Sequence, residues 1–215
     1  MLDAQKVPRC AAARQIQGKH WLLRFDRGQR IHARDTKGAA WRIVSGSVRL
    51  DREEPNGEQS FANLAIRGDV IGAETLLFGK YSFTATALTA CVLESWPEGR
   101  ASPVGDSLLR TLAKAERRAA EVIALRCGQA ADRVRRLVMM LAHPAAEHPT
   151  NTAVELQVVL PSRQDMADIT ALKLETVSRM VSQLRHAGVL DPLRHDGKRP
   201  SQRNFAIRHA LGETH

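Results

Sequence analysis

Cysteine is scarce in this chain of 215 residues: Cys10, Cys91 and Cys127 stand far apart, with no CxxC pair and no histidine at ligand spacing. That excludes a disulfide framework and leaves no metal-site signature, so a reducing cytoplasm is the expected compartment. Long apolar runs are missing as well. No stretch approaches the roughly 18 residues of a membrane span, and the first residues lack the apolar centre of a secretory signal, so no membrane partner is expected. The sequence also has no P-loop, no Ser/His/Asp or Cys/His ordering and no metal-ligand spacing, which leaves an enzyme without its chemistry. What is present is 43% hydrophobic and 26% charged residues, the composition of a folded chain with one large or two small domains.

Acidic residues are outnumbered: 32 Lys and Arg face 23 Asp and Glu, a net charge of +9. Such an excess suits a polyanion, either nucleic acid or an acidic membrane surface, and charge alone does not choose between them. The excess is unevenly placed. Residues 1–50 hold eleven basic against three acidic side chains, and residues 176–210 hold seven against two. The first cluster reads as a solvated face or, alternatively, as a contact with a polymerase or with nucleic acid; the second begins inside a helix discussed below.

From about residue 20 to 97, short runs rich in Val, Ile, Leu, Thr and Trp are broken every ten residues or so by turn signals such as "RGQRI", "SGSVRL" and "IRGDVIG". Asn56-Gly57, between "SVRLDRE" and "QSFANLAI", is the strongest hairpin signal. The pattern predicts an antiparallel sandwich or jelly roll. Residues 104–127 then change period and predict one long helix, on which Leu108, Leu112, Ala115, Ala119 and Val122 follow the 4-3-4-3 seam of a coiled coil, packed across a dimer or, alternatively, inside the monomer. Gly128 interrupts it, and "QAADRVRRLVMMLAH" predicts a second helix ending at Pro144, with Arg133, Arg135 and Arg136 on its surface or, alternatively, touching phosphate. The expected domains are 1–103, a dimerisation helix at 104–127, a second helix and linker at 128–151, and a small domain at 152–215.

The last domain opens with "LPSRQDMADITALKLETVSR", where Ser162 is a helix N-cap and Asp165 its capping-box partner. A short break at "TAL" precedes a helix from about 173 to 187. Leu174, Val177, Val181 and Leu184 fall on one side of it, and Glu175, Ser178, Arg179, Ser182 and His186 on the other. Two helices at this spacing make a helix-turn-helix. Two β-like runs around Asp196-Gly197 add a wing. The second helix of such a motif enters the major groove, and Glu175, Ser178 and Arg179 match base edges there: a carboxylate for cytosine N4, a hydroxyl near a thymine methyl, a guanidinium for guanine. Ser162, Arg163, Gln164, Ser182, Arg185, Lys198 and Arg199 are expected on the phosphate backbone.

The run "SRQDMADITALKLETVSRMVSQLRHAGVL", together with "RGQRI", "RIVSGSVRL" and "IRGDVIGAETLLFG" ahead of a long helix, resembles the cyclic-AMP receptor protein/FNR family of bacterial transcription regulators along nearly the whole chain. The resemblance implies an α+β protein: an N-terminal antiparallel β-roll of the cyclic-nucleotide-binding type, a dimerisation helix and a C-terminal winged helix-turn-helix. It further implies a homodimer on double-stranded DNA, in contact with RNA polymerase. The E-x-x-S-R pattern of Glu175, Ser178 and Arg179 resembles the FNR-like branch and implies TTGAT half-sites. The turn departs from the family: Ala171-Leu172-Lys173 stands where Gly-Leu-Thr or Gly-Leu-Ser is usual, and Lys173 is a poor N-cap. A ligand-binding module that does not act on DNA is the other class to weigh, and the complete helix-turn-helix argues against it.

The signal is less legible. Relatives that bind cyclic nucleotides grip the phosphate with an Arg-Ser or Arg-Thr pair after a Gly-Glu pair. Here Gly72 and Glu74 open the segment, but Phe83 stands at the arginine and Thr84 at the hydroxyl position. A phenyl ring cannot neutralise a phosphate, which argues against cyclic AMP; Lys80 is the alternative cation. An iron–sulfur cluster of the FNR type needs four thiolates, and three scattered cysteines do not supply them. Haem would need an axial ligand from His20, His32 or Cys91; the plainer reading makes both histidines surface residues and Cys91 a small buried hydrophobe. The effector stays unassigned.

Overall fold

The computed structural model describes residues 12–17, 20–96, 104–145, 156–193 and 203–208, and the chain divides into two compact units, residues 1–122 and 123–215. The first unit is the expected antiparallel β-roll. Strands β1 (Ala12–Gln17), β2 (His20–Phe25), β3 (Arg30–His32), β4 (Ala40–Ser45), β5 (Ser47–Glu53), β6 (Gln59–Ile66) and β7 (Val70–Ile71) precede a single helical turn, α1 (Thr75–Phe78). β8 (Thr84–Ala87) and β9 (Cys91–Trp96) complete the unit's strands. They form a five-stranded sheet in the order β1-β2-β9-β4-β7 and a four-stranded sheet in the order β3-β8-β5-β6.

Alternation along each strand turns one side chain in two toward the facing sheet. Leu23, Phe25, Trp41, Ile43 and Leu93 of the first sheet thereby share a buried cluster with Ile31, Val48, Ala65, Ala85 and Ala87 of the second. Burying each large aliphatic side chain contributes about 1.5–3 kcal/mol. The hairpin signal at Asn56-Gly57 is realised: β5 pairs antiparallel with β6, Glu54 N–H and Glu58 O close the loop at 2.8 Å, and Gly57 takes a φ of 82°. β1 is a strand that the sequence pattern does not predict. "AARQIQ" has no apolar alternation, and it is held as an edge strand by its ladder to β2.

Helix α2 (Val104–Ala124) spans the division between the units. It ends before Gly128, whose φ of +85° a side-chain-bearing residue rarely adopts. In the second unit α3 (Ala130–Leu141) stops short of Pro144, because the chain turns extended at Ala142 and enters a two-residue strand, β10 (His143–Pro144). β10 and β11 (Leu156–Val159) are further strands that the sequence pattern does not predict; they are too short for a periodicity to show. Helices α4 (Arg163–Thr170) and α5 (Leu174–His186) follow, then β12 (Leu190–Pro192) and β13 (Asn204–Ile207). The sheet order β10-β11-β13-β12 pairs the two predicted wing strands directly.

Candidate nucleic-acid interface and ligand cavity

Helix α4 starts as its sequence dictates. The Ser162 hydroxyl accepts the Asp165 N–H at 3.0 Å and donates its own proton to the Asp165 carboxylate, a variant of the capping box in which the acid caps the capping hydroxyl. Ala171 then reverses the chain with φ 52° and ψ 45°, a left-handed conformation usually left to glycine. Lys173 takes the N-cap position of α5 with no side-chain cap bond, as expected of lysine.

Val177, Val181 and Leu184 of α5 are buried, whereas Glu175, Arg179, Ser182 and His186 are exposed and Ser178 is half-buried. Leu174 departs from the expected apolar side and is 41% exposed. It is the first helical residue, its side chain leans toward the N-terminus, and no earlier turn of its own helix lies there to pack against. Glu175 and Arg179 are one turn apart, a spacing that favours an ion pair. Among the described residues neither has an ion-pair or hydrogen-bond partner, so both polar ends are available outward.

Beside the exposed Ser182, the expected backbone contacts separate into three groups. Arg163 and Arg185 are brought together: burial first, and the Arg185 charge second, hold the Arg163 guanidinium below its ordinary value. Two cations that repel each other favour an anion between them. Gln164 donates one amide N–H to Asp168 at 2.8 Å, and Ser162 is engaged in its cap, so each already holds a partner at α4. Lys198 and Arg199 lie outside the described residues.

On α2 the predicted seam is split by burial. Leu108 packs on the cluster of Ala40, Ala73 and Trp96, and Val122 is 3% exposed. Leu112 and Ala115 are exposed, and Ala119 is half-buried. The large apolar side chains left in solvent are Leu109 at 67%, Leu112 at 47% and Ile123 at 65%. With Glu116 and Ala119 these follow a 3-4-3-4 spacing that keeps Leu112 and Ala119 of the predicted seam and moves its other positions by one residue. Spacing alone fits both phases; the β-roll claims Leu108.

The β-roll and α2 enclose a cavity of about 450 Å³. Of the cassette residues, Gly72, Glu74 and Phe83 line it, and neither Thr84 nor Lys80 does. Thr84 is buried, its hydroxyl accepting the Arg34 N–H at 3.2 Å. A Cβ on Gly72 would meet the Tyr81 ring at 2.5 Å, so the glycine makes room for that ring. The cations on the cavity come from elsewhere: Arg42 of β4, and Lys114 and Arg118 of α2. Arg118 is held by Asp69 at 2.9 Å and by Glu121, while Arg42 pairs with Glu94 at 3.5 Å. Sequence reasoning missed the α2 pair, although Lys114 and Arg118 stand one turn apart.

His32 is not the surface residue expected; only 7% of it is exposed. It is stacked on Tyr81 with neither ring nitrogen hydrogen-bonded, the Phe83 main chain approaching without bonding geometry. Burial pushes its pKa down to about 4, the Phe83 main chain offsetting this in part. Cys91 is the small buried hydrophobe of the plainer reading: its thiol donates to the Ser47 and Thr89 carbonyls, and burial pushes its pKa up to about 11. The His20 side chain lies outside the described residues. Among those residues no cluster of His, Cys, Asp and Glu is placed to hold a metal, and no helix is long and apolar enough to cross a membrane.

Comparison with known proteins agrees with both units. Residues 22–101 match the cyclic nucleotide-binding domain, and residues 132–199 match the Crp-like helix-turn-helix domain. The transcriptional regulator LdrP of Thermus thermophilus is 28% identical over 172 residues, 79% of this chain and 87% of that protein. The nitrogen fixation regulation protein FixK of Bradyrhizobium diazoefficiens is 26% identical over 198 residues, 84% of this chain and 78% of that protein. Among solved structures, a CRP-family transcriptional regulator of Thermus thermophilus superposes with a TM-score of 0.61 at 25% identity, covering 86% of this chain and 90% of that one. FixK2 of Bradyrhizobium japonicum has the same fold, with a TM-score of 0.61 at 24% identity over 87% and 92% of the two chains. With the β-roll and the helix-turn-helix each matched in that order, the chain belongs to the cyclic-AMP receptor protein/FNR family and is a transcription regulator, not an enzyme.

Proposed function

We propose that the protein binds DNA as a homodimer and reads an inverted repeat resembling TTGAT-N4-ATCAA, under the control of a signal received in the β-roll. The observation that carries this reading is α5. Its apolar face is buried while Glu175 and Arg179 stand exposed, with no partner among the described residues. Arg179 bonds guanine, Glu175 accepts from a cytosine or adenine amino group, and Ser178 meets a thymine methyl. Arg163 and Arg185 hold a phosphate between them, with Ser162, Gln164, Ser182, Lys198 and Arg199 around the same backbone. A two-fold axis sets two such helices one DNA turn apart.

The exposed stripe Leu109, Leu112 and Ile123 supplies the apolar surface for that axis, with a second copy of α2 as its partner. Residues 1–103 receive the signal, 104–127 dimerise, 128–151 connect and 152–215 bind DNA, in the cytoplasm and beside RNA polymerase. Phe83, standing where a phosphate-gripping arginine is expected, argues against cyclic AMP as that signal. The reading is tested by fluorescence anisotropy with a labelled TTGAT-N4-ATCAA duplex and a scrambled duplex of the same composition. Preferential binding of the first is expected, and equal binding of both overturns the sequence assignment.

A further inference from the structure

Helix α4 has only eight residues, and its end is the pivot of the motif, because three residues later α5 begins. A helix leaves its last four carbonyls without partners from its own turns. In α4 all four are accounted for. Ala167 O accepts the Ala171 N–H and, at 3.0 Å, the Leu172 N–H. Asp168 O and Ile169 O accept from one guanidinium, that of Arg126, through Nη2 at 3.1 Å and Nε at 3.2 Å. Thr170 O accepts from Arg133 Nη1 at 3.3 Å, and Arg133 Nε reaches back to Gly128 O at 2.9 Å. A third arginine repeats the pattern at the end of α2: Arg136 Nη1 donates to Ala124 O at 2.9 Å and Cys127 O at 2.8 Å.

We propose that Arg126, Arg133 and Arg136 form a clasp that positions the helix-turn-helix by holding main-chain carbonyls, and that these cations do not touch DNA. The chemistry favours arginine specifically. Each of Arg126 and Arg133 spans two carbonyls with one planar fork, which a lysine ammonium on its flexible stem cannot reproduce. Positive charge is also favoured where two helix C-termini present their carbonyls. The turn needs this support. Ala171 holds a left-handed conformation that costs an L-residue energy, and the Lys173 side chain gives α5 no cap, so local sequence stabilises the pivot poorly from either side. The arginines, arriving from segment 125–128 and from α3, fix it from outside. They are positioning residues, acting on the DNA-reading side chains only through α4.

The inference rests on DNA binding by α5 but has a readout of its own. The full chain is compared with Arg126→Lys and Arg133→Lys, which keep the net charge, and with Arg135→Lys as a control, because Arg135 lies exposed on the same helix outside the clasp. Binding to the TTGAT-N4-ATCAA duplex is measured across salt concentrations, and amide hydrogen exchange is followed at Ala171 and Leu172. The clasp predicts that both lysine variants lose about fivefold or more in affinity at an unchanged salt slope, the signature of lost positioning and not of lost phosphate contact. It also predicts faster exchange at the end of α4, with the buried amides of β13 unchanged and the control like wild type. A phosphate-contact role instead predicts near-normal affinity with lysine. Lysine variants whose exchange at Ala171 and Leu172 equals wild type overturn the clasp whether or not the duplex is the true operator. A wild type that ignores the duplex while its lysine variants loosen the turn counts against the operator and leaves the clasp standing.

Discussion

The imidazole of His32 lies flat on the phenol ring of Tyr81, their centroids 3.6 Å apart and their planes 6° from parallel. Stacked in the β-roll without a hydrogen bond to either nitrogen, the ring is held neutral, its pKa lowered from 6.5 to about 4 by burial. A depressed histidine pKa means that the unfolded chain binds the proton more tightly than the folded one. This contribution is therefore fully present above pH 6.5 and is lost as pH falls from 6.5 toward 4. The shift corresponds to about 3 kcal/mol over that window. Urea unfolding of wild type and His32→Phe at pH 7 and pH 4.5 measures it: the wild type should lose more stability than the variant by most of that amount. Equal losses would mean that His32 takes up its proton without cost.

Ala171 at φ 52° predicts a stabilising substitution. Ala171→Gly removes the Cβ strain of the left-handed region and should raise unfolding free energy by about 1 kcal/mol, after the glycine's greater freedom in the unfolded chain is subtracted. Thermal unfolding detects it as a rise in Tm; a fall would show that this turn tolerates its side chain without strain.

The exposed stripe on α2 makes Leu109 a sharper test of assembly than the residues that spacing selected. Leu109→Glu puts a carboxylate into an apolar seam on both copies and should shift sedimentation from dimer to monomer. Leu108→Ala should leave the dimer and lower stability by about 2–3 kcal/mol, because its contacts are Ala40, Ala73 and Trp96. If Leu108→Ala dissociates the dimer and Leu109→Glu does not, the phase proposed for the seam is wrong.

Phe83 on the cavity wall, with Arg42 and Arg118 already paired to carboxylates, gives a cyclic phosphate no cation from the approach to β8 and leaves Lys114, among the described residues, as the one cavity cation not already paired. Calorimetry with cyclic AMP should show no saturable binding below about millimolar. A micromolar dissociation constant would mean that Lys114 takes the phosphate or that Arg118 exchanges Asp69 and Glu121 for it.

The β-roll, the long helix and the helix-turn-helix were legible because each rests on a local period or a turn residue: Gly57, Gly128, the Ser162–Asp165 cap, and the Val177–Val181–Leu184 face. What escaped depended on neighbours distant in sequence. Leu108 and Leu109 are equivalent by spacing, and only the Trp96 cluster decides between them. His32 stands in "RIHAR" between two arginines, where nothing local foretells burial under Tyr81, nearly fifty residues on. Arg133 and Arg136 read as a helix surface, and Arg126 draws no reading at all, because the carbonyls they hold belong to other elements. A basic residue just past a helix end, as at Arg126, was the one available hint.

The central claim is that the polar face of α5 reads base edges, and selection of bound duplexes from a random pool tests it most directly, run in parallel with wild type and Arg179→Ala. Removing a guanidinium that spans guanine O6 and N7 costs on the order of 1–3 kcal/mol per half-site and relaxes one base pair without disturbing the others. The wild type should enrich an inverted repeat resembling TTGAT-N4-ATCAA, and Arg179→Ala the same repeat with its guanine position degenerate. No palindrome from the wild type, or an identical motif from both proteins, would contradict the claim.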